Sequence, residues 1–356
     1  MTAVHQNELP APHRLSWDNA PMRTKNCQRC VISCLLCLWV ASGFGETQIR
    51  KTADDHFQVI LDRSSAKPVT ALQVTDLHLG KKDFWRQDLT TCKRIRRLVE
   101  MHNPDLILVT GDLLTGEKYF GSLLAAFAVE FFDSLNRPWL YTFGNHDGEG
   151  GFGRDQIHEV FSASRWGVLG FHQVTNQWIR KYDYAVDLQR SAAAQPEWQV
   201  YAFDTGSAKG FKSIKEDQLA WFKSVADETQ RACGGTVRAI SMFHIPLRQY
   251  QELWDDASLP KKGESQEKVS FEEDDGNPYR AFVQLKNIEA TFCGHDHDNN
   301  FWGKTRDGII LSYGSISGEA TKFAWPTGGK LIQLPSKAGP IHIENVTPQF
   351  SHHPPQ

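Results

Sequence analysis

The segment PDLILVTGD, residues 104–112, is an apolar run that ends in a glycine and an aspartate. A short apolar run bounded by turn residues is typical of a buried strand. Similar runs lie on either side of it, VTALQVTD at 69–76 and PWLYTFGNHD at 138–147. Amphipathic spacing between them predicts helices at 88–102 and 119–135. The order β-α-β-α-β predicts parallel strands whose carboxyl ends meet at one edge of a sheet.

The second half of the chain has more apolar runs and fewer amphipathic stretches. We predict strands at 182–188, 198–206, 237–244, 288–295, 308–314, 329–334 and 341–346, and helices at 215–231, 248–254 and 278–286. An excess of strands over helices favours a second sheet packed on the first. The predicted fold class is therefore α/β, a layered α-β-β-α sandwich of two mixed sheets flanked by helices.

The amino-terminal region differs from this pattern. Within 22–45, a basic stretch, an apolar run and small residues follow one another, which is the layout of a secretory signal peptide. The apolar run is too short for a membrane span. Met22 is an alternative start of translation, in which case residues 1–21 lie upstream of the protein. We expect a secreted or periplasmic protein without a membrane span in the mature chain, with a cytoplasmic location as the alternative. The domain is predicted over 52–348, followed by a disordered tail at 349–356.

Charge and composition restrict the class of partner. The 356 residues carry a formal net charge of -3, so no basic field favours binding of nucleic acid. The sequence contains 14 histidines, and neutral imidazole is the commonest metal ligand.

Metal-binding residue types follow five of the predicted strands. Separately, each has a simpler explanation, since Asp and Asn favour turns and a histidine can cap a strand or pack in the core. Together they predict a centre for two divalent ions, because mixed carboxylate and imidazole ligands suit Mn, Fe or Zn. A shared carboxylate holds two such ions roughly 3.5–4 Å apart. The residues are Asp76, His78, Asp112, Asn145, His146, His244, His295 and His297.

The ordered motifs D-x-H, G-D, G-N-H-D, H and G-H-x-H resemble those of the calcineurin-like metallophosphoesterases, over about residues 69–314. The stretches FHIPL and GHDHDNNF resemble the purple-acid-phosphatase-related branch of plants, fungi and bacteria. The resemblance implies two ligand sets that share Asp112. The first is Asp76, His78, Asp112 and His297, and the second is Asn145, His244, His295 and Asp112.

The resemblance also implies roles for the neighbouring residues. His146 would protonate the leaving alkoxide, and Asp147 would orient His146. Asp296, between the two histidines of GHDH, is expected to point away from the metals. The polar segment 255–278 has no apolar periodicity and is predicted to be a long loop that overhangs the site. Asp204 is interpreted as a turn residue.

The motifs depart from the pattern of true purple acid phosphatases at two positions. His78 replaces a glycine, and Thr115 stands where a tyrosine would bind ferric iron. We therefore expect a colourless centre. The aspartate of the protein-phosphatase motif G-D-x-x-D-R is also missing. Arg154 is either a phosphate contact or a surface residue at a helix start.

The expected activity is dinuclear, metal-dependent hydrolysis of a phosphate monoester through in-line attack of a metal-bridging hydroxide. The substrate would be a phosphorylated small molecule or a phosphoprotein. A phosphodiesterase acting on cyclic nucleotides, lipids or nucleic acid would use the same site. A binding module whose metals only stabilise the fold is an alternative of another class. The pattern leaves the oligomeric state open.

Overall fold

The computed structural model describes residues 47–61, 67–81, 86–115, 120–173, 180–207, 209–321 and 324–350. The signal-peptide-like segment and residues 351–356 of the predicted tail lie outside these ranges. Within the described part of the chain, no helix has the length and apolar character needed to cross a bilayer.

The described residues form six helices and seventeen strands. The helices are α1 Arg86–His102, α2 Gly121–Asp133, α3 Arg154–Phe161, α4 Glu216–Cys233, α5 Gln249–Asp255 and α6 Asn277–Leu285. The first strands are β1 Gln48–Ala53, β2 His56–Ile60, β3 Val69–Val74, β4 Leu106–Thr110, β5 Trp139–Thr142, β6 Gly167–Val168, β7 His172–Gln173, β8 Arg180–Lys181 and β9 Tyr184–Gln189. They are followed by β10 Trp198–Ala202, β11 Ala239–Met242, β12 Lys261–Lys262, β13 Ile288–Cys293, β14 Trp302–Lys304, β15 Ile310–Tyr313, β16 Gly329–Leu334 and β17 His342–Val346.

Two large mixed sheets form the centre of the fold. The first has the order β17-β16-β3-β4-β5-β6, with β3 to β6 parallel and β16 and β17 antiparallel. The second has the order β1-β2-β9-β10-β11-β13-β15-β14-β12, and its strands β10, β11, β13 and β15 are parallel. Helices α1 and α2 pack on the six-stranded sheet, whereas α5 and α6 pack on the nine-stranded one. This arrangement confirms the predicted layered sandwich of two mixed sheets.

The strands nearest the predicted site are shorter than the apolar runs suggested. Strands β3, β4 and β5 end at Val74, Thr110 and Thr142, so the polar residues that follow them lie in loops. Helix α3 begins at Arg154, at the helix start that was considered for this residue. The hairpin of β1 and β2 was not predicted, and β1 includes residues on both sides of 52, the predicted start of the domain. The hairpin was missed because its central residues are mostly polar, and β2 is a strand through its parallel pairing with β9.

Buried polar side chains join the two sheets, one from the first residue of β9 and one from near the carboxyl end of β3. The Tyr184 hydroxyl on β9 accepts from the Tyr141 amide at 2.9 Å and lies 2.8 and 2.9 Å from the carbonyls of Tyr141 and Val168. Gln73 on β3 donates to the Cys293 carbonyl at 2.9 Å. Buried polar groups that are fully paired specify one register between packed layers.

Tyr184→Phe tests this connection between the sheets. We expect the free energy of unfolding to fall by about 1–3 kcal/mol, because the buried Tyr141 amide loses its acceptor. Denaturant unfolding measures the change. Tyr279→Phe is the control, since that hydroxyl is only partly buried, and we expect it to cost about 1 kcal/mol or less. Equal effects of the two variants would contradict the bridging role.

Candidate metal centre

The predicted ligands lie in five loops, each directly after a parallel strand. Three loops follow β3, β4 and β5 of the six-stranded sheet, and two follow β11 and β13 of the nine-stranded sheet. Carboxyl ends of parallel strands share one edge of a sheet, and here the edges of two sheets meet. The loops carry Asp76 and His78, Asp112, Asn145, His244, and His295 and His297.

One group of possible ligands consists of Asp76, His78 and His297. One donor atom from each lies within 4.8 Å of the others. His297 Nε2 is 3.5 Å from Asp76 Oδ1 and 3.2 Å from His78 Nε2. Two imidazole nitrogens that face each other this closely suit a cation that accepts both lone pairs.

A second group consists of Asp76, Asp112 and His244, whose donor atoms also lie within 4.8 Å of one another. His244 Nε2 is 3.3 Å from Asp112 Oδ2 and 3.0 Å from the amide oxygen of Asn145. Asn145 therefore adds a neutral oxygen beside this group.

Asp76 belongs to both groups, and Asp112, a member of the second group, also faces a histidine of the first. Its Oδ2 atom is 3.3 Å from His244 Nε2 and 3.8 Å from His78 Nε2. Its Oδ1 atom accepts from the backbone amide of His146 at 2.8 Å, which orients the carboxylate. One oxygen that faces an imidazole of each group has the position expected of a bridging ligand.

His295 lies beside the second group, but neither group of donor atoms includes it. Its ring centroid is 5.1 Å from that of His244, and its backbone amide donates to Asp76 Oδ2 at 3.1 Å. Its Nε2 atom lies 3.8 Å from a carboxylate oxygen of Glu272.

The other imidazoles are oriented through Nδ1. His78 Nδ1 lies 2.7 Å from the Thr115 hydroxyl, and His244 Nδ1 lies 2.9 Å from the Thr110 carbonyl. Partners of this kind select the tautomer that leaves Nε2 free for a metal. Thr115, which stands where a tyrosine would bind ferric iron, thus contacts a predicted ligand.

The backbone is unusual at four of the predicted ligands. Asp76, His78, Asp112 and His295 have φ values of 53°, 47°, 48° and 80°. Residues with side chains adopt this left-handed region at a cost of order 1 kcal/mol each, and such residues cluster at functional sites. The turns explain why the strands end before the ligands.

Glycines permit the close approach of the loops. A Cβ atom on Gly144 would lie 2.1 Å from Asp112 Oδ1, and one on Gly294 would lie 2.0 Å from the Thr75 hydroxyl. A Cβ on Gly111 would lie 2.5 Å from the His244 ring, and its φ of +87° also favours glycine.

Burial and opposite charges compete at the carboxylates. Burial raises the pKa of Asp112, but the charges and hydrogen bonds of His244 and His78 hold that pKa well below its usual range. For Asp76, burial is likewise outweighed by His297 and His244, which lower the pKa to about 2. Burial lowers the pKa of His244, but Asp112 outweighs it and raises that pKa to about 9. Both carboxylates are therefore ionised where a cation would bind.

The predicted contact between Asp147 and His146 is wrong. Asp147 is buried, and its carboxylate accepts from the amides of Leu114 at 2.8 Å and Gly144 at 2.7 Å. His146 is about one-third exposed, and its Nδ1 atom lies 2.7 Å from Glu149. Consecutive side chains in this turn point in different directions, so Asp147 supports the backbone while Glu149 reaches the imidazole.

Arg154 begins helix α3, but its side chain does not lie at the surface. Its guanidinium is largely buried and donates to Asp204 at 2.7 Å and to the Gly144 carbonyl at 2.6 Å. It therefore connects the loops that follow β5 and β10. Asp204 accepts from the Gly206 amide as a turn residue and also pairs with Arg154.

The segment 255–278 runs along the GHDHDNN motif. The Ser270 amide donates to Asp296 at 3.0 Å, and the Glu264 amide donates to the Asn300 side chain at 2.9 Å. Asp296 also accepts from the Tyr313 hydroxyl, so its carboxylate is directed away from the metal ligands, as expected. The segment contains β12 and holds the histidine loop in place.

The profile of the calcineurin-like phosphoesterases matches residues 69–299, which include all seven predicted metal ligands. The chain belongs to this family.

Relatives and solved structures agree with the assignment to the family. A protein named probable inactive purple acid phosphatase 28, from Arabidopsis thaliana, is 30% identical over 281 residues, covering 68% of each chain. Phosphatase DCR2 of Saccharomyces cerevisiae is 23% identical over 302 residues, covering 76% of this chain and 49% of that protein, so the chain spans about half of its length. A dimetal phosphatase from Danio rerio has the same fold, with a TM-score of 0.53, 11% identity, and coverage of 80% of this chain and 100% of that one.

The family implies two divalent ions, and the residues present fit them. Two buried carboxylates, Asp76 and Asp112, lie among imidazoles whose free nitrogens face them. Buried carboxylates this close together require compensating positive charge. Asp76, His78, Asp112 and His297 would hold one ion, and Asn145, His244, His295 and Asp112 would hold the other.

Gly144→Ala tests the close approach of the loops. We expect weaker metal binding, because the added Cβ would displace Asp112. Isothermal titration with Zn²⁺ or Mn²⁺ measures the affinity. Gly235→Ala is the control, since a Cβ there meets nothing within 4 Å. If Gly144→Ala bound metal with wild-type affinity, the position of the Asp112 carboxylate would not depend on this glycine.

Proposed function

We propose that this chain is a dinuclear metal-dependent phosphomonoesterase. The observation that carries the proposal is the position of Asp112, whose Oδ2 atom faces His244 at 3.3 Å and His78 at 3.8 Å. An arrangement with a shared carboxylate suits two cations about 3.5–4 Å apart. The name of the related phosphatase DCR2 and the dimetal phosphatase fold support phosphate ester chemistry.

Two divalent ions bound here would neutralise charge on a phosphoryl group and lower the pKa of a coordinated water. The chain's own residues prepare the site for this chemistry. The Thr110 carbonyl selects the tautomer of His244 with the proton on Nδ1, and the Thr115 hydroxyl orients the His78 ring. Asn145 contributes an oxygen without adding negative charge, which eases the approach of a phosphate dianion.

His146 is placed to donate a proton to the leaving oxygen. Its backbone amide is held by Asp112 at 2.8 Å, and its ring centroid is 5.3 Å from that of His78. The side chain is about one-third exposed, so it can meet a substrate at the edge of the site.

A phosphorylated small molecule or a phosphoprotein is the proposed substrate class. Hydrolysis of p-nitrophenyl phosphate and bis-p-nitrophenyl phosphate by metal-loaded protein tests the preference. Faster turnover of the monoester supports the proposal, whereas faster turnover of the diester would make the chain a phosphodiesterase with the same site.

A non-catalytic metal-binding module is a second candidate, because relatives carry names that include the word inactive. The complete ligand set and the exposed His146 favour catalysis. Elemental analysis of the same sample decides between the two candidates. Two ions per chain with no hydrolysis of either ester would favour the binding module and overturn the enzyme.

Asp112→Asn tests the shared ligand. Loss of its charge removes a ligand from both ions, so we expect fewer than two bound ions per chain and a smaller rise in melting temperature on addition of metal. Elemental analysis and thermal unfolding measure these effects. Asp227→Asn on helix α4, an exposed residue paired with Lys223, is the control. Two ions at full occupancy in Asp112→Asn would rule out the bridging role.

His146→Ala tests the proton donor. We expect both ions to stay bound and kcat for an alkyl phosphate to fall by roughly 10²–10⁴, the usual contribution of a general acid. The loss with p-nitrophenyl phosphate should be much smaller, because p-nitrophenolate leaves without protonation. Equal losses with the two substrates would be inconsistent with this role.

A further inference from the structure

We infer that Glu149 is a positioning residue that holds His146 for proton donation. The inference rests on the proposed function. Glu149 Oε2 lies 2.7 Å from His146 Nδ1, a distance typical of a charge-assisted hydrogen bond. The contact orients the ring and accepts the Nδ1 proton of the imidazolium, so that Nε2 faces the substrate with the proton to be donated. After the transfer the neutral ring keeps its proton on Nδ1.

A folded turn brings the two side chains together. The Glu149 amide donates to the His146 carbonyl at 3.2 Å, which closes a turn over residues 146–149. Gly148 occupies the third position with a φ of +91°, as a type II turn requires. Arg154 stabilises this turn, since its side chain donates to the Asp147 carbonyl at 3.3 Å. The turn therefore brings the Glu149 backbone close to His146, within reach of its imidazole.

Neighbouring residues of suitable chemistry are engaged elsewhere. Both oxygens of Asp147 accept from backbone amides of Leu114 and Gly144. Thr115, three residues after Asp112, contacts His78. Position 115 holds a threonine instead of an aspartate. The carboxylate that contacts His146 comes from Glu149, three residues after it in the sequence.

A surface ion pair without function is the simpler explanation of the contact. Glu149 and His146 are each about one-third exposed, and such pairs contribute little to stability. The two explanations differ in what the loss of Glu149 changes. If the pair has no function, loss of Glu149 changes neither proton donation by His146 nor the dependence of kcat on the leaving group. If Glu149 positions His146, its loss changes both.

Kinetics on the metal-loaded full chain test the inference with Glu149→Ala and Glu149→Gln. We expect Glu149→Ala to lower kcat for an alkyl phosphate by about 10–100-fold, with KM and metal content close to the wild-type values. The loss with p-nitrophenyl phosphate should be ~3-fold or less, because general acid catalysis contributes little there. Glu149→Gln keeps an acceptor oxygen and should recover part of the loss. Glu159→Gln, an exposed glutamate on α3, is the matched control.

A double variant separates positioning from an independent effect. In a His146→Ala background, Glu149→Ala should cause no further loss with the alkyl phosphate, because Glu149 acts through His146. Additive losses, or equal losses with both leaving groups, would overturn the inference.

A spectroscopic measurement tests the contact without catalysis. Nitrogen-15 NMR of the zinc-loaded protein, at a pH where His146 is neutral, should show the proton on Nδ1 in the wild type and a shift toward Nε2 in Glu149→Ala. The same tautomer in both proteins would overturn the inference. If the wild type binds two ions and hydrolyses no ester, the proposed function fails, and the NMR comparison still decides whether Glu149 orients His146.

Discussion

The structure depends on the close approach of two sheets at the carboxyl ends of their strands. Gly111 lies against the His244 ring and Gly294 against Thr75, where any Cβ atom would clash. Carboxylates come from the loops of the six-stranded sheet, and imidazoles come from the loops of both. Without this approach, the five loops would present isolated polar residues at two separate edges.

Charge compensation is the second constraint on the site. Asp76 and Asp112 are both buried and ionised, because imidazoles contact each of them. Buried charges of one sign are costly unless opposite charge is close, and the surrounding donors suit cations. The hydrogen bonds of His78 and His244 to Thr115 and Thr110 direct the remaining nitrogens inward. The same interactions therefore stabilise the loops and select the ligand atoms.

The proton donor lies outside this buried set. His146 is tied to the centre through its backbone and to Glu149 through its ring. The family resemblance implied that Asp147 would orient His146. In the turn, however, residue i+1 points into the protein and residue i+3 returns to the imidazole. Turn geometry of this kind depends on the φ of Gly148, which an apolar pattern does not encode.

The sequence by itself determined the alternating strands and helices, the two-sheet class and the metal-binding residue types, because apolar periodicity and motif order are local properties of the chain. It did not predict the β1 and β2 hairpin, whose central residues are mostly polar. Three features were decided only by the tertiary structure. Oδ2 of Asp112 faces both His244 and His78, the Arg154 side chain is buried against Asp204, and Glu149 contacts His146. These contacts join residues through turns and between sheets, and their distances follow from packing in three dimensions.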